Sequence, residues 1–255
     1  MAQPPLCVGR VFRPSLTLIA FGYFGAPPPC ALLMRKLPLL FSILIFQFSL
    51  SSLQALDKSL FFTLGPKVML NTDDSAKSAP SPVMYSLGIG GDFTFDNNIF
   101  MQAHGSFFTN YYLWNGEHAR PAEVENRTAT ALSALLDLTG GYTFKAGESQ
   151  KHLLSLAAGL GFFFRYGILS NGVSESDRNR DTGTSVGDDV SDINSDFYSD
   201  LKFLYPEFAF SYSYMLSDIW KVGGEFRAYI PIGSFVNGLG ADGMIFSLAL
   251  KLSYK

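Results

Sequence analysis

Three histidines, one glycine-rich hexapeptide and one acidic stretch are the parts of this 255-residue chain whose types could do chemistry. Gly238-Leu239-Gly240-Ala241-Asp242-Gly243 has the G-x-G-x-x-G spacing that cradles a phosphate at the start of a helix. Here it runs into a strand pattern, so no helix N-terminus stands behind it and no phosphate site is expected. His104 falls on the inward, lumen-facing parity of a strand pattern, His118 in a surface loop and His152 at a short turn, which gives no metal triad. Neither a G-x-S-x-G elbow nor an H-E-x-x-H pair occurs. The 169–200 stretch holds eight acidic residues against Arg178 and Arg180, without the D-x-[DN]-x-[DN]-G spacing of a calcium loop. The expectation is a chain with no catalytic residue, cofactor or metal, and so not an enzyme.

Other charged residues are informative through their parity. Lys67, Asp92, Asp137, Arg165, Glu207, Lys221, Glu225, Arg227 and Lys251 each alternate with apolar neighbours. A side-chain period of two means a strand with two different faces. The last stretch, 243–255, is the clearest frame: Phe246, Leu248, Leu250, Leu252 and Tyr254 alternate with Ser247, Ala249, Lys251 and Ser253. The same rhythm predicts strands over 60–70, 83–95, 99–112, 128–144, 152–168, 201–216 and 220–232. The Ala- and Leu-rich 128–138 segment suits a helix by propensity, but Leu132, Ala134, Leu136, Leu138, Tyr142 and Phe144 keep one parity and argue for a strand.

These strands position the charges. Connections are long after residues 70, 112, 168 and 232 and short after 95, 144 and 216, for example at Ser217-Asp218-Ile219. That asymmetry, an even strand count of about eight, and aromatics near both strand ends (Tyr142, Phe144, Trp220, Tyr254; Tyr85, Tyr111, Tyr166) fit a closed barrel in lipid. Closure is required, because an edge in hydrocarbon leaves backbone groups unsatisfied; the last strand must pair with the first. The inward charges then form a paired lumen network, chiefly Lys67, Asp92, Asp137, Glu207, Glu225 and Arg227, since they would be costly facing lipid. Nearer the long loops, Met69, Phe108, Tyr112, Phe163, Tyr205 and Tyr229 share the inward parity, an expected apolar pocket in which Arg165 orients an anionic head group. Eight strands leave an interior just wide enough for their own side chains, so no wide pore is expected.

Composition agrees: 47% hydrophobic, 15% aromatic and only 16% charged residues suit an apolar exterior. The 37–53 run follows Met34, Arg35 and Lys36 and ends in small residues, which reads as a signal peptide over 34–55, leaving Leu56 as the mature start. As an uncleaved anchor it is short of the ~20 residues a helical span needs. Residues 1–33 read as an extension from an upstream start codon; a lipidated Cys30 is the alternative, poorly approached by Pro27-Pro28-Pro29. Both cysteines lie there, so the mature chain has no disulfide chemistry. Four basic residues leave with the first 55, so 15 basic face 22 acidic residues, a net of −7, and no nucleic-acid surface is expected. The acidic 171–200 segment is too polar to order itself and is expected to be a mobile extracellular loop.

With GLGFFFRYG (159–167) and WKVGGEFRAYIPIG (220–233), the chain resembles the OmpW-like small outer-membrane barrels over roughly 55–255. One departure is that Tyr254 is followed by Lys255 instead of ending the chain. The resemblance implies an all-β, transmembrane antiparallel up-and-down barrel of about eight strands in the cell outer membrane. It also implies lipid and the barrel-assembly machinery as partners, and a narrow, porin-like route or binding site for small hydrophobic or amphiphilic molecules. Two alternatives stand beside transport: a structural or adhesin-like barrel acting through its extracellular loops, and a soluble lipocalin-like ligand-binding barrel, which would need no detergent.

Overall fold

A computed structural model describes residues 57–72, 82–95, 97–124, 127–171, 178 and 182–255. The expected extension, signal segment and Leu56 lie outside them, as does part of the acidic loop. The described strands are β1 (Asp57–Met69), β2 (Val83–Thr94), β3 (Ile99–Trp114), β4 (Ala119–Ala122), β5 (Ala129–Ala146), β6 (His152–Ser170), β7 (Leu204–Met215), β8 (Trp220–Tyr229) and β9 (Ile245–Tyr254). Two helices, α1 (Val186–Asp196) and α2 (Ile232–Val236), sit in the connections. All strand pairs are antiparallel. Each strand pairs with its sequence neighbour around the ring, except that β4 only folds back on the end of β3, leaving an eight-stranded barrel. The last strand closes on the first, with Leu60 opposite Tyr254 and Phe62 opposite Leu252, which removes the edge that hydrocarbon forbids. Among the described residues no helix is long and apolar enough to cross a membrane.

The parity assignment holds along every barrel strand. On β6, for instance, Leu156, Leu160, Phe164 and Tyr166 are exposed while Gly161, Phe163 and Arg165 are buried. Exposed apolar side chains continue around the wall (Leu64, Leu87, Phe107, Leu136, Phe208, Phe226, Leu248), a belt that only lipid can cover. Trp220 meets Tyr254 with ring centroids 5.0 Å apart, and Tyr142 meets Phe144 at 4.8 Å, inside the short-turn girdle. Leu160→Arg, at mid-strand on this wall, should cost about 2 to 4 kcal/mol in refolding titrations into lipid vesicles, and Glu148→Arg in an exposed turn close to nothing. Equal tolerance of the two would show that the wall does not meet lipid.

Several boundaries differ from the sequence reading for local reasons. The 114–127 loop is partly strand, because β3 runs on to Trp114 and β4 pairs with it. The sixth expected strand starts at Leu204 rather than 201, since Asp200 and Leu201 take φ of 46° and 62° and turn the chain. The seventh ends at Tyr229: Pro231 has no N–H for the ladder, and α2 follows it. The largest difference is in the acidic segment, where composition predicts no order yet residues 186–196 form α1. Ser185 caps the helix and Asp188 returns the bond to the Ser185 N–H, while Ile193 and Phe197 are fully buried. The Ser185 hydroxyl and N–H hold the exposed Asp188 carboxyl below its ordinary range, so this cap weakens only as pH falls through that lowered value.

Candidate functional site

The candidate site is the lumen, filled in two layers. The deeper one is ionic and centres on Arg227 of β8. Its Nε donates to Glu225 Oε1 at 2.6 Å and Nη1 to Glu207 Oε1 at 2.5 Å, while Nη2 reaches Gln102 across the barrel. Asp137 lies 3.6 Å from Nη1 and accepts from Tyr229 at 3.0 Å and His104 Nδ1 at 2.9 Å. Lys251 bridges Asp92 (3.2 Å) and Glu225 (3.5 Å) and stands 4.0 Å over the Phe61 ring. Lys67 sits over the rings of Phe108 and Tyr229 at 5.4 and 5.2 Å. Ions of both signs so deeply buried persist because they are paired or, as with Lys67, held over ring faces beside the opposite charges.

Of the six residues expected in a charge network, Asp92, Asp137, Glu207, Glu225 and Arg227 are brought together by ion pairs, while Lys67 lies nearby over rings without a direct ion pair. Sequence reasoning missed Gln102, Thr63 and Tyr229 as members, and it placed His104 in the lumen without a partner. Thr63 Oγ1, His104 Nε2 and Nδ1, and Asp137 Oδ2 form a chain of 3.0 and 2.9 Å contacts. Hydroxyl, imidazole and carboxylate stand in the order that activates a nucleophile. All three are buried and Phe61 stacks on the imidazole at 5.5 Å, so the hydroxyl has no open side for a substrate.

The upper layer is aromatic. Met69, Phe108, Tyr112, Phe163, Tyr205 and Tyr229 are buried in one cluster, with Phe163 5.7 Å from Phe108 and 5.4 Å from Tyr205. The expected open pocket is corrected here, because α1 fills it. Ile193 and Phe197 belong to the same buried cluster, and the Phe197 ring packs edge-on against Tyr112 at 4.6 Å. Beside Met69, Tyr112, Arg165 and Tyr205 about 20 Å³ of space remains, room for roughly one water.

Arg165 also differs from expectation. Its Nη2 donates to the carbonyls of Lys202 (2.7 Å) and Phe197 (3.1 Å), and Nη1 to the Tyr112 hydroxyl (3.3 Å). The guanidinium lies between the Phe163 and Phe197 rings, at 4.5 and 4.4 Å. It anchors the chain after α1 instead of offering donors to a head group. Further ties hold the helix: Arg127 to Asp189 (2.6 Å), Lys202 to Asp196 (2.5 Å), and the Asn194 amide to the Gly167 N–H and carbonyl (2.8 and 3.1 Å).

Closed strand order, lipid-facing belt, paired lumen charges and alternating loop lengths together define an eight-stranded transmembrane β-barrel of the outer-membrane kind. No family model and no curated protein matches the sequence. Among solved structures it is similar in fold to Neisserial surface protein A, at TM-score 0.47 and 11% identity over 78% of this chain and 96% of that one. It is also similar to the outer membrane protein OprG from Pseudomonas aeruginosa (0.44, 11%, 77% and 95%). A third is Ail, the attachment invasion locus protein of Yersinia pestis, in complex with the heparin analogue sucrose octasulfate (0.41, 9%, 78% and 99%).

Proposed function

We propose that this protein is a closed outer-membrane barrel whose work is done at its extracellular end, the barrel serving as anchor and the long connections with α1 as the presented surface. The single observation carrying this reading is α1 seated in the lumen mouth through Ile193 and Phe197, above a layer of paired ions. A barrel filled at two depths conducts poorly, and an ordered cap is what an interaction surface needs. The short turns then face the periplasm and the long loops the outside. Outer-membrane lipid and the barrel-assembly machinery are the partners this reading requires.

Ile193→Glu tests it by placing a carboxylate among buried rings, which should release α1 without touching the barrel wall. Added protease on intact cells should then cut within 186–196 in the variant and spare it in the wild type, while heat-modifiable migration of the barrel stays unchanged. Planar-bilayer recordings of the refolded wild type should show no sustained conductance. A wild type that conducts steadily with α1 uncut would sink the anchoring role.

Passage of small apolar solutes, the role implied by the OmpW-like resemblance, is the second reading. The aromatic lining of Phe108, Phe163 and Tyr205 supports it. It requires α1 to leave its seat, so it predicts solute uptake that rises in Ile193→Glu.

A further inference from the structure

At the short-turn end the lumen is neither packed with rings nor closed by ion pairs. A chamber of about 150 Å³ opens there, with Phe100 and Leu153 on one side and Lys221 on another. Small inward side chains line it, Ser155 on β6, Ser211 and Ser213 on β7 and Ser253 on β9, with Gly141 on β5 and Gly223 on β8 at neighbouring inward positions. The two glycines are held small by the fold itself. A Cβ on Gly223 would collide with the Tyr212 carbonyl oxygen, and one on Gly141 with that of Leu156.

The charges around the chamber are unequal in how they are satisfied. Asp57 is held by Lys255 at 2.6 Å, and Asp92 by Lys251 at 3.2 Å and by the Gln102 amide at 2.6 Å. Asp218 is exposed on the turn at the rim. Lys221 points inward from β8, opposite Ser253; among the described residues its ammonium makes no direct hydrogen bond or ion pair, with Asp92 and Asp57 acting on it only at longer range, and Lys145 on the same lining likewise has no ion pair. The hydroxyls of Thr94, Ser211, Ser213 and Ser253 also line the chamber, and among the described residues they have no partner within the protein. Only Ser155 and Thr143 satisfy each other, at 2.9 Å. Two lysines without a direct ion pair, Lys221 inside and Lys145 at the rim, and several free hydroxyl donors around a cavity of several waters make a receptor for negative oxygen, since donors to a charged acceptor form the strong class of hydrogen bond.

We propose that this chamber binds a small oxyanion, a carboxylate or phosphate group, with Lys221 as its counter-ion and the chamber hydroxyls as neutral donors. The ligand enters from the short-turn side, so the site is independent of α1 and of whatever the long loops contact. Its volume of about 150 Å³ holds several waters, which fits an isolated phosphate or a short carboxylate.

The test uses the whole refolded barrel in a detergent without phosphate groups, titrated with sodium phosphate or sodium acetate at constant ionic strength set by sodium chloride. Backbone amide NMR shifts of Gly223, Ser213 and Ser253 are the readout. Saturable shifts confined to this end, with either anion, support the proposal; saturation by phosphate alone or acetate alone tells which group it prefers. Lys221→Met should weaken binding by about tenfold or more, and Lys221→Arg should restore it, both with otherwise native spectra. Addition of nanodiscs containing anionic phospholipid separates a head group from a free solute, because only a head group would compete with added phosphate there. Shifts that follow chloride equally well, or that survive unchanged in Lys221→Met, overturn it.

Discussion

Arg227→Leu is expected to lower the stability of the refolded barrel by about 3 to 5 kcal/mol, the cost of breaking a buried ion pair by removing one partner. Arg227 is buried and is the shared cation of Glu207 and Glu225, with Asp137 at 3.6 Å. Without it those carboxylates face one another with Lys67, Lys251 and His104 as the nearest described basic groups to offset them. Urea titrations of refolded protein in lipid vesicles measure the loss. Arg227→Lys should recover part of it, since a point charge replaces the sign but not the fork that reaches Glu225, Glu207 and Gln102 together. Replacing Arg227, Glu207 and Glu225 together by Met, Leu and Leu should cost less than Arg227→Leu alone, because the stranded charge is the expensive element. If the single leucine variant is as stable as wild type, the network is ornamental and the barrel is held by its wall.

The parity that placed these charges was legible because a barrel strand has one solvent on each face, and a wrong assignment of Glu207 or Arg227 would put an ion in hydrocarbon. Which charges meet was less legible. Thr63, His104 and Asp137 come from β1, β3 and β5; His104 and Asp137 stand directly opposite in the register of adjacent strands, and Thr63 reaches them across β2, a register that the residue pattern of each strand alone does not give. Helix α1 was missed for a different reason. A segment rich in Asp, Ser and Gly cannot bury enough surface alone, yet α1 docks on aromatics already assembled by the strands, and most helical stability comes from such packing. Its signals were present: Ser185 with Asp188 three residues on, then Val186, Val190, Ile193 and Phe197 along one side. Arg165 followed from the same omission, since the carbonyls it holds belong to residues 197 and 202, beyond the helix.

Phe163→Ala separates the two functional readings through one residue, and its stability effect is expected to be as large as that of Arg227. Phe163 is fully buried between Phe108, Tyr205 and the Arg165 guanidinium, so truncation leaves a cavity at a cost of about 3 to 5 kcal/mol. The cavity lies beneath Ile193 and Phe197, with the Arg227 network below it. In a closed anchor it is therefore sealed at both ends, and single-channel conductance should stay at baseline while the refolding midpoint falls. A solute path through the same rings would instead widen at its narrowest point, and conductance or apolar-solute uptake would rise despite the lost stability. Combining Phe163→Ala with Ile193→Glu sharpens the contrast, because the upper seal is then removed as well. Continued silence in that double variant would leave the ionic layer as the barrier, and a rise confined to the double variant would identify α1 as the element that keeps the barrel shut.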